Sequence, residues 1–346
     1  MEYRKLGKSG LDVGVIGLGT EHIEKKKETM EAILRTAVEA GVNYIDLLYT
    51  APDYWEQYGA LFKAYRDKLV CAVHWNAADC HDAAPSQRNF DNILKHLGND
   101  HAEVGLITMI ESEKDWKGWA QEFIEHLQRY KEQGRIDAIG MSGHSASAAL
   151  TVVSSGLIDV LMFPINMLGH DHEDEKLLRQ ACVERGVGLV AMKPYHGSTL
   201  FFVEGRPSGI TAAHCLSYVF SLPVSTAVPG PKNVAELCST LHYLEATEEE
   251  KDYRSILANL PHIMAGQCVY CHHCLPCPEG IEIGWLIWLL DYARGGVTDE
   301  LKGWYAGHKV KASACTECGE CVERCPFDVD ILAKMRRAVE LFEAPR

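Results

Sequence analysis

Eight short apolar runs recur along the first two-thirds of the chain, and none of them alternates apolar with polar positions. They are VGVIGLGT (13–20), NYIDLLYT (43–50), KLVCAVHW (68–75), VGLITMIE (104–111), DAIGMSGH (137–144), VLMFPIN (160–166), GLVAMKPYHG (188–197) and STAVPG (225–230). A run that stays apolar throughout suits a parallel strand buried on both faces. Between the runs, apolar residues return with helical period in ETMEAILRTAVEAG (28–41), WAQEFIEHLQRYKEQG (119–134) and EKLLRQACVERG (175–186). Each of these stretches ends at a glycine, a common helix stop. Eight strand–helix units predict an α/β fold, a (β/α)8 TIM barrel over residues 1–245. The rival is a doubly wound open sheet, which needs a G-x-G-x-x-G turn after an early strand. Gly14, Gly17 and Gly19 give only GVIGLG, without that spacing.

In such a barrel the chemistry sits where the strands end. Those ends carry Thr20, His22, Asp46, His74, Glu111, Ser142, His144, Asn166, Lys193, His196, Gly230 and Lys232. Any one of them taken singly is readable as a helix cap or a loop hydrogen bond. Asp46, His74 and His144 come from separated strands and are expected to converge as proton-transfer groups. An alternative places a metal ion on the histidines with Glu111 or Asp46. If the site lies elsewhere on the rim, Glu111, Lys193 and His196 are the next set.

The last hundred residues change the picture. Of thirteen cysteines, eight fall between positions 268 and 325, in two cassettes. The first is Cys268-V-Y-Cys271-H-H-Cys274-L-P-Cys277-P, and the second is Cys315-T-E-Cys318-G-E-Cys321-V-E-R-Cys325-P. The second has the C-x2-C-x2-C-x3-C-P spacing, in which three thiolates hold one [4Fe–4S] cluster and the fourth goes to its neighbour. The first differs by one residue before its fourth cysteine. Two clusters are therefore expected, on Cys268, Cys271, Cys274 with Cys325 and on Cys315, Cys318, Cys321 with Cys277. Structural zinc is the alternative, but it leaves the triple runs and the terminal C-P unexplained. His272 and His273 read as neighbours of the ligands. The apolar stretch GWLIWLLDYARGG (284–296) reads as a helix packing this module. The acidic stretch ATEEEKDY (246–253) is expected to begin a helix leading into the cysteine region, which makes residues 246–346 a second, α-helical ferredoxin-type domain.

Composition narrows the partners. The chain has 346 residues, 47% of them hydrophobic and 24% charged, as in ordinary globular proteins, and a net charge of −14. That charge disfavours nucleic acid and anionic membrane, both polyanions. No apolar stretch is long enough to span a bilayer, and MEYRKLGKSG has no signal-peptide core, so a cytoplasmic location is expected.

The segments YRKLGKSGLDVGVIGLGT, GVNYIDLLY, GRIDAIGMSGHS, VAMKPYHGSTL and AVPGPKN together resemble the aldo/keto reductase family. The cysteine module resembles the two-cluster ferredoxin extension on one branch of that family. The resemblance implies NADP(H), with Ser142 and Asn166 at the carboxamide, Gly230 and Lys232 at a phosphate loop, and Lys193 among the cofactor contacts. It also implies an Asp, Tyr, Lys and His catalytic set, and here the match thins. Asp46 agrees, but Ala51 stands at the tyrosine position, His74 at the lysine position, and Ile110, beside Glu111, at the histidine position. Tyr49 and Tyr54 could replace the tyrosine only through a shifted loop.

The expected function is an oxidoreductase that passes electrons through two [4Fe–4S] clusters to or from a small organic substrate at the barrel mouth. A ferredoxin or flavodoxin is the expected electron partner, and an anaerobic cytoplasm the expected setting. Two alternatives stand beside it: an NADPH-dependent carbonyl reductase with a rearranged active site, and a non-catalytic electron-transfer subunit or redox sensor.

Overall fold

The computed structural model describes residues 1–170, 172–203 and 205–343. The chain divides into two compact units. One is Met1–Gly197 with Thr211–Tyr253, and the other is Ser198–Ile210 with Arg254–Arg346.

The first unit is the expected barrel. Its strands are β1 (Leu18–Gly19), β2 (Tyr44–Leu47), β3 (Val70–His74), β4 (Ala102–Ile107), β5 (Ile136–Ser142), β6 (Val160–Pro164), β7 (Gly188–Met192) and β8 (Thr226–Val228). All neighbours run parallel in sequential order. The ring closes where Gly17 N–H donates to Ala227 O at 2.8 Å and Ala227 N–H donates to Val15 O at 2.9 Å. An antiparallel hairpin, Tyr3–Lys5 with Asp12–Gly14, covers the N-terminal end of the barrel and adds Leu6 and Val13 to its core. Tyr44, Ala72, Val104, Leu106, Ala138, Val160, Met162, Val190 and Val228 fill the interior. Gly140 belongs to this packing: a Cβ there would lie 2.5 Å from Leu106 Cδ2 and 2.9 Å from the Val160 carbonyl.

Strand period 2 then fixes the site. Tyr44 lies in the barrel core, so Asp46, two residues on, faces the same way at the mouth; Ala72 and His74 stand in the same relation. Trp75 faces the opposite way, into the helix layer. It is fully buried and packs on Phe90 at 5.1 Å and Tyr130 at 5.3 Å between ring centroids. Those partners lie on helices α3 (Ala83–Leu97) and α5 (Trp119–Glu132). In α5 the buried residues Ala120, Phe123, Ile124, Leu127 and Tyr130 repeat every three or four positions, a stripe that turns one face inward.

The second unit holds five α-helices among its described residues: Arg254–Ile263, Ile283–Tyr292, Asp299–Gly307, Glu320–Glu323 and Ile331–Phe342. The expected apolar helix is the second of these and buries Ile283, Leu286, Ile287, Leu289 and Leu290. Two features depart from the expectations. The acidic stretch 246–253 forms turns, and the helix starts at Arg254. A short hairpin, Phe202–Val203 with Arg206–Pro207, lies within the Ser198–Ile210 excursion that groups with the second unit. Among the described residues no helix is long and apolar enough to cross a membrane.

Candidate functional site

The residues at the barrel mouth form two hydrogen-bonded groups. In the first, His74 Nε2 lies 2.9 Å from Asp46 Oδ1, and His74 Nδ1 lies 2.8 Å from Thr108 Oγ1. Both partners are well shielded, His74 at 2% exposure and Asp46 at 8%. Thr108 Oγ1 is also 2.7 Å from the Asn76 carbonyl, which can only accept, so the hydroxyl proton points there. Thr108 therefore accepts from His74, and Nδ1 carries a hydrogen. The contact between Nε2 and Oδ1 needs a second proton. Asp46 and His74 thus share one proton that neither could lack without leaving two acceptors face to face. Thr20 supports the pair from below, its hydroxyl donating to the Asp46 carbonyl at 2.6 Å.

The second group contains His144. The structure joins it to Glu111 and Lys193, not to Asp46 and His74. His144 Nδ1 lies 2.9 Å from Glu111 Oε1, and His144 Nε2 lies 2.8 Å from Lys193 Nζ. Burial alone would raise the Glu111 carboxyl. The His144 side chain and the amides of His144 and Ser145 outweigh it and hold Glu111 below the ordinary glutamate range. Burial draws the Lys193 ammonium the other way from its usual value, down, against the pull of Glu21 and Glu111. Lys193 has φ 52°, a left-handed conformation that costs a non-glycine residue about 1 kcal/mol. Its carbonyl accepts from Asn166 Nδ2 at 3.2 Å and from the His196 amide at 2.9 Å, which fixes the turn. The two groups are thus separate, Asp46 paired with His74 and Glu111 with His144.

Several of the positions expected to bind NADP(H) have hydrogen-bond partners within the chain. Asn166 holds Lys193 O with its amide and accepts from Leu168 N–H with Oδ1. Ser142 Oγ accepts from Met109 N–H at 3.4 Å. Helix α9 (Val234–Leu241) starts just after Gly230 and Lys232, where a helix N-terminus suits a phosphate. There Glu236 Oε2 accepts the Lys232 amide at 2.8 Å, and Asn233 caps the helix. A carboxylate at that place opposes an incoming phosphate, and the exposed Lys232 side chain beside it carries the opposite charge. Of the substitute tyrosines, Tyr49 donates its hydroxyl to Glu21 O at 2.7 Å. Tyr54 is buried with no partner for its hydroxyl among the described residues, and burial drives its pKa far up.

Sequence reasoning missed Thr108, Asn76 and Glu236. Thr108 and Asn76 lie two residues beyond Leu106 and His74, so the period of two was the available signal.

In the second unit the cysteines surround two cavities. Cys268, Cys271, Cys274 and Cys325 line one, with Ile287 and Phe327. Cys277, Cys315, Cys318 and Cys321 line the other, with Ile283 and Met335. Each cavity takes three cysteines from one cassette and the fourth from the other. Arg324 ties the cassettes together, donating to Cys274 O at 2.9 Å and Pro276 O at 2.7 Å. Tyr270, His272, Glu317 and Gly319 have positive φ, which turns the chain sharply between successive cysteines. Burial pushes the Cys268 thiol up to about 12 and the Cys274 thiol up to about 11. Four soft sulfur donors around an apolar-walled cavity fit an iron–sulfur cluster.

Comparison with known proteins agrees with both units. The aldo/keto reductase family model matches residues 11–210, and the 4Fe-4S binding domain model matches residues 308–329. The chain is 25% identical over 231 residues to an uncharacterized oxidoreductase, YrpG, of Bacillus subtilis, a stretch covering 58% of this chain and 68% of that one. It is 25% identical over 218 residues to L-glyceraldehyde 3-phosphate reductase of Escherichia coli, covering 56% of this chain and 61% of the relative. An aldo-keto reductase from Bacillus halodurans, in its holo form, superposes with a TM-score of 0.62 at 19% identity, over 74% of this chain and 96% of that one. This last likeness concerns the fold alone. With more than half of its length matched by the family model, the chain belongs to the aldo/keto reductase family and is an oxidoreductase that also carries a 4Fe-4S binding domain.

Proposed function

We propose that this chain is an iron–sulfur oxidoreductase that exchanges electrons with a small organic substrate at the mouth of its barrel. Two [4Fe–4S] clusters, on Cys268, Cys271, Cys274 with Cys325 and on Cys315, Cys318, Cys321 with Cys277, would supply transfer of single electrons. The observation that carries this reading is the three-plus-one division of eight cysteines between two cavities. Asp46 and His74 hold a proton between Oδ1 and Nε2 at the mouth, and reduction of an organic substrate consumes protons along with electrons. Three of the family's four catalytic positions, those of its tyrosine, lysine and histidine, hold Ala51, His74 and Ile110, so the Asp46–His74 pair takes over the proton-donating role. The name of the Escherichia coli relative, a glyceraldehyde 3-phosphate reductase, points to carbonyl compounds as the first substrates to try. A ferredoxin or flavodoxin serves as electron donor or acceptor, in an anaerobic cytoplasm.

The test begins with full-length protein purified without oxygen. It should contain about eight iron and eight sulfide per chain. Reduced by dithionite, it should give cluster signals in electron paramagnetic resonance, and a carbonyl panel should reoxidise the clusters during turnover. Zinc without sulfide would end the cluster reading. Clusters that no organic acceptor reoxidises, with donors of either kind, would end the enzymatic one.

A further inference from the structure

A lysine acts as a nucleophile when a neighbouring base can take its proton and a third group orients that base. Three such groups stand in a row on the rim. Lys193 Nζ is 2.8 Å from His144 Nε2, and His144 Nδ1 is 2.9 Å from Glu111 Oε1. The bond directions are determined by the outermost member. Glu111 accepts the His144 amide on both oxygens at 2.9 Å and the Ser145 amide at 3.0 Å, so it is held as a carboxylate. His144 Nδ1 then donates to Glu111, which leaves the lone pair of Nε2 facing Lys193. The base is thus oriented before any substrate arrives.

The three residues follow different strands, β4, β5 and β7, and nothing in their local sequence requires them to meet. The backbone of Lys193 is left-handed and is pinned through its carbonyl by Asn166 and His196. Lys193 as a residue is exposed at the mouth, while its ammonium is partly desolvated by its neighbours. Its lowered pKa acts in the same direction, toward the free amine.

We propose that Lys193 is a nucleophilic amine that forms an imine with an aldehyde or ketone, with His144 as its base and Glu111 as the residue that positions His144. In the step, His144 Nε2 takes a proton from the ammonium, and the amine nitrogen adds to the carbonyl carbon. The carbonyl oxygen gains two protons, one returned through His144 and one from the nitrogen, and leaves as water. The nitrogen keeps one hydrogen and the positive charge as the protonated imine. Nothing is oxidised or reduced, and water reverses the step. This assignment stands independently of the electron-transfer reading.

The test uses full-length protein with glyoxylate as the probe, sodium cyanoborohydride to reduce the imine, and peptide mass mapping to locate the adduct. At pH 7, Lys193 should be modified at least about 10-fold faster than exposed lysines such as Lys117 and Lys176. Its rate should rise at lower pH than theirs, and the groups facing it that set this are His144, Glu111 and Glu21. His144→Gln and Glu111→Gln should each remove that advantage, and Lys193→Arg should remove the adduct altogether. If His144→Gln does not fold, Glu111→Gln alone decides. Modification of Lys193 at the rate of the other lysines, or a rate unchanged in folded Glu111→Gln, would mean that the row only ties three loops together and would overturn the proposal.

Discussion

His74 and Asp46 share a single proton across 2.9 Å, and Thr108 keeps His74 from turning away by accepting its other N–H. Replacing His74 with Gln removes the shared proton without opening a large cavity, since the side chains are of similar reach. Turnover with a chemical electron donor should fall about 10²-fold or more, the usual contribution of one acid–base group, while iron content stays at the wild-type level. Asp46→Asn should do the same, because an amide cannot hold the proton for His74. Thr108→Val should lower turnover less, by loosening the ring. Steady-state rates of the three variants beside iron analysis check this; unchanged rates in His74→Gln would move the proton donor to another part of the rim.

The crossed arrangement of cysteines makes a second, sharper prediction. Cys325 lies on the second cassette but lines the cavity of the first, and Cys277 does the reverse. Cys325→Ala should therefore damage the cluster held by Cys268, Cys271 and Cys274, and Cys277→Ala the other. Anaerobic iron counting combined with paramagnetic resonance should show about half the iron in each variant, with different signals remaining. Identical residual signals in the two variants would contradict the crossing.

How much of this was legible in the sequence follows from where each feature is encoded. The barrel strands were readable because burial on two faces leaves a run such as VLMFPI apolar at every position, and all eight overlap those runs. The crossed cysteine sets were readable because ligand spacing is itself local. The partner of His144 was not. Its meeting with Lys193 depends on a left-handed turn at a lysine, and side chains carry little signal for positive φ unless they are glycine or asparagine. Thr108 was hidden inside a run that reads as apolar, and Glu236 looked like any acidic residue in a helix's first turn. The Ser198–Ile210 hairpin was missed because strands of two residues leave no periodicity to count.

Glu236 sets the third prediction. Its carboxylate accepts the Lys232 amide at the start of α9, where a phosphate would otherwise be received. The wild-type protein should bind NADPH weakly. Glu236→Gln, which keeps a hydrogen-bond acceptor and removes the charge, should bind it about 10-fold more tightly, a gain of about 1.4 kcal/mol. Titration calorimetry on both proteins is the measurement. Tight binding by the wild type would show that the phosphate lies elsewhere on the rim.

Glu175 makes the last prediction, about stability. It lies in the first turn of α7 (Glu173–Arg185), largely enclosed, with Arg179 Nη1 at 3.5 Å. Burial raises its carboxyl to about 7, and Arg179 only partly opposes this. An acid whose folded pKa is raised binds more protons when folded than when unfolded between its ordinary value and the raised one. Stability therefore falls as pH rises through that window, from about 4.3 toward about 7. Above it, the ionised group weighs against the folded state by at most about 4 kcal/mol. Glu175→Gln keeps the volume and cannot ionise. It should be more stable than the wild type at pH 8, and the difference should shrink to nothing below about pH 4. Denaturant midpoints at pH 4, 6 and 8 measure this directly. A Gln variant less stable than the wild type at pH 8 would mean that Arg179 holds Glu175 ionised and that the pair stabilises the helix instead.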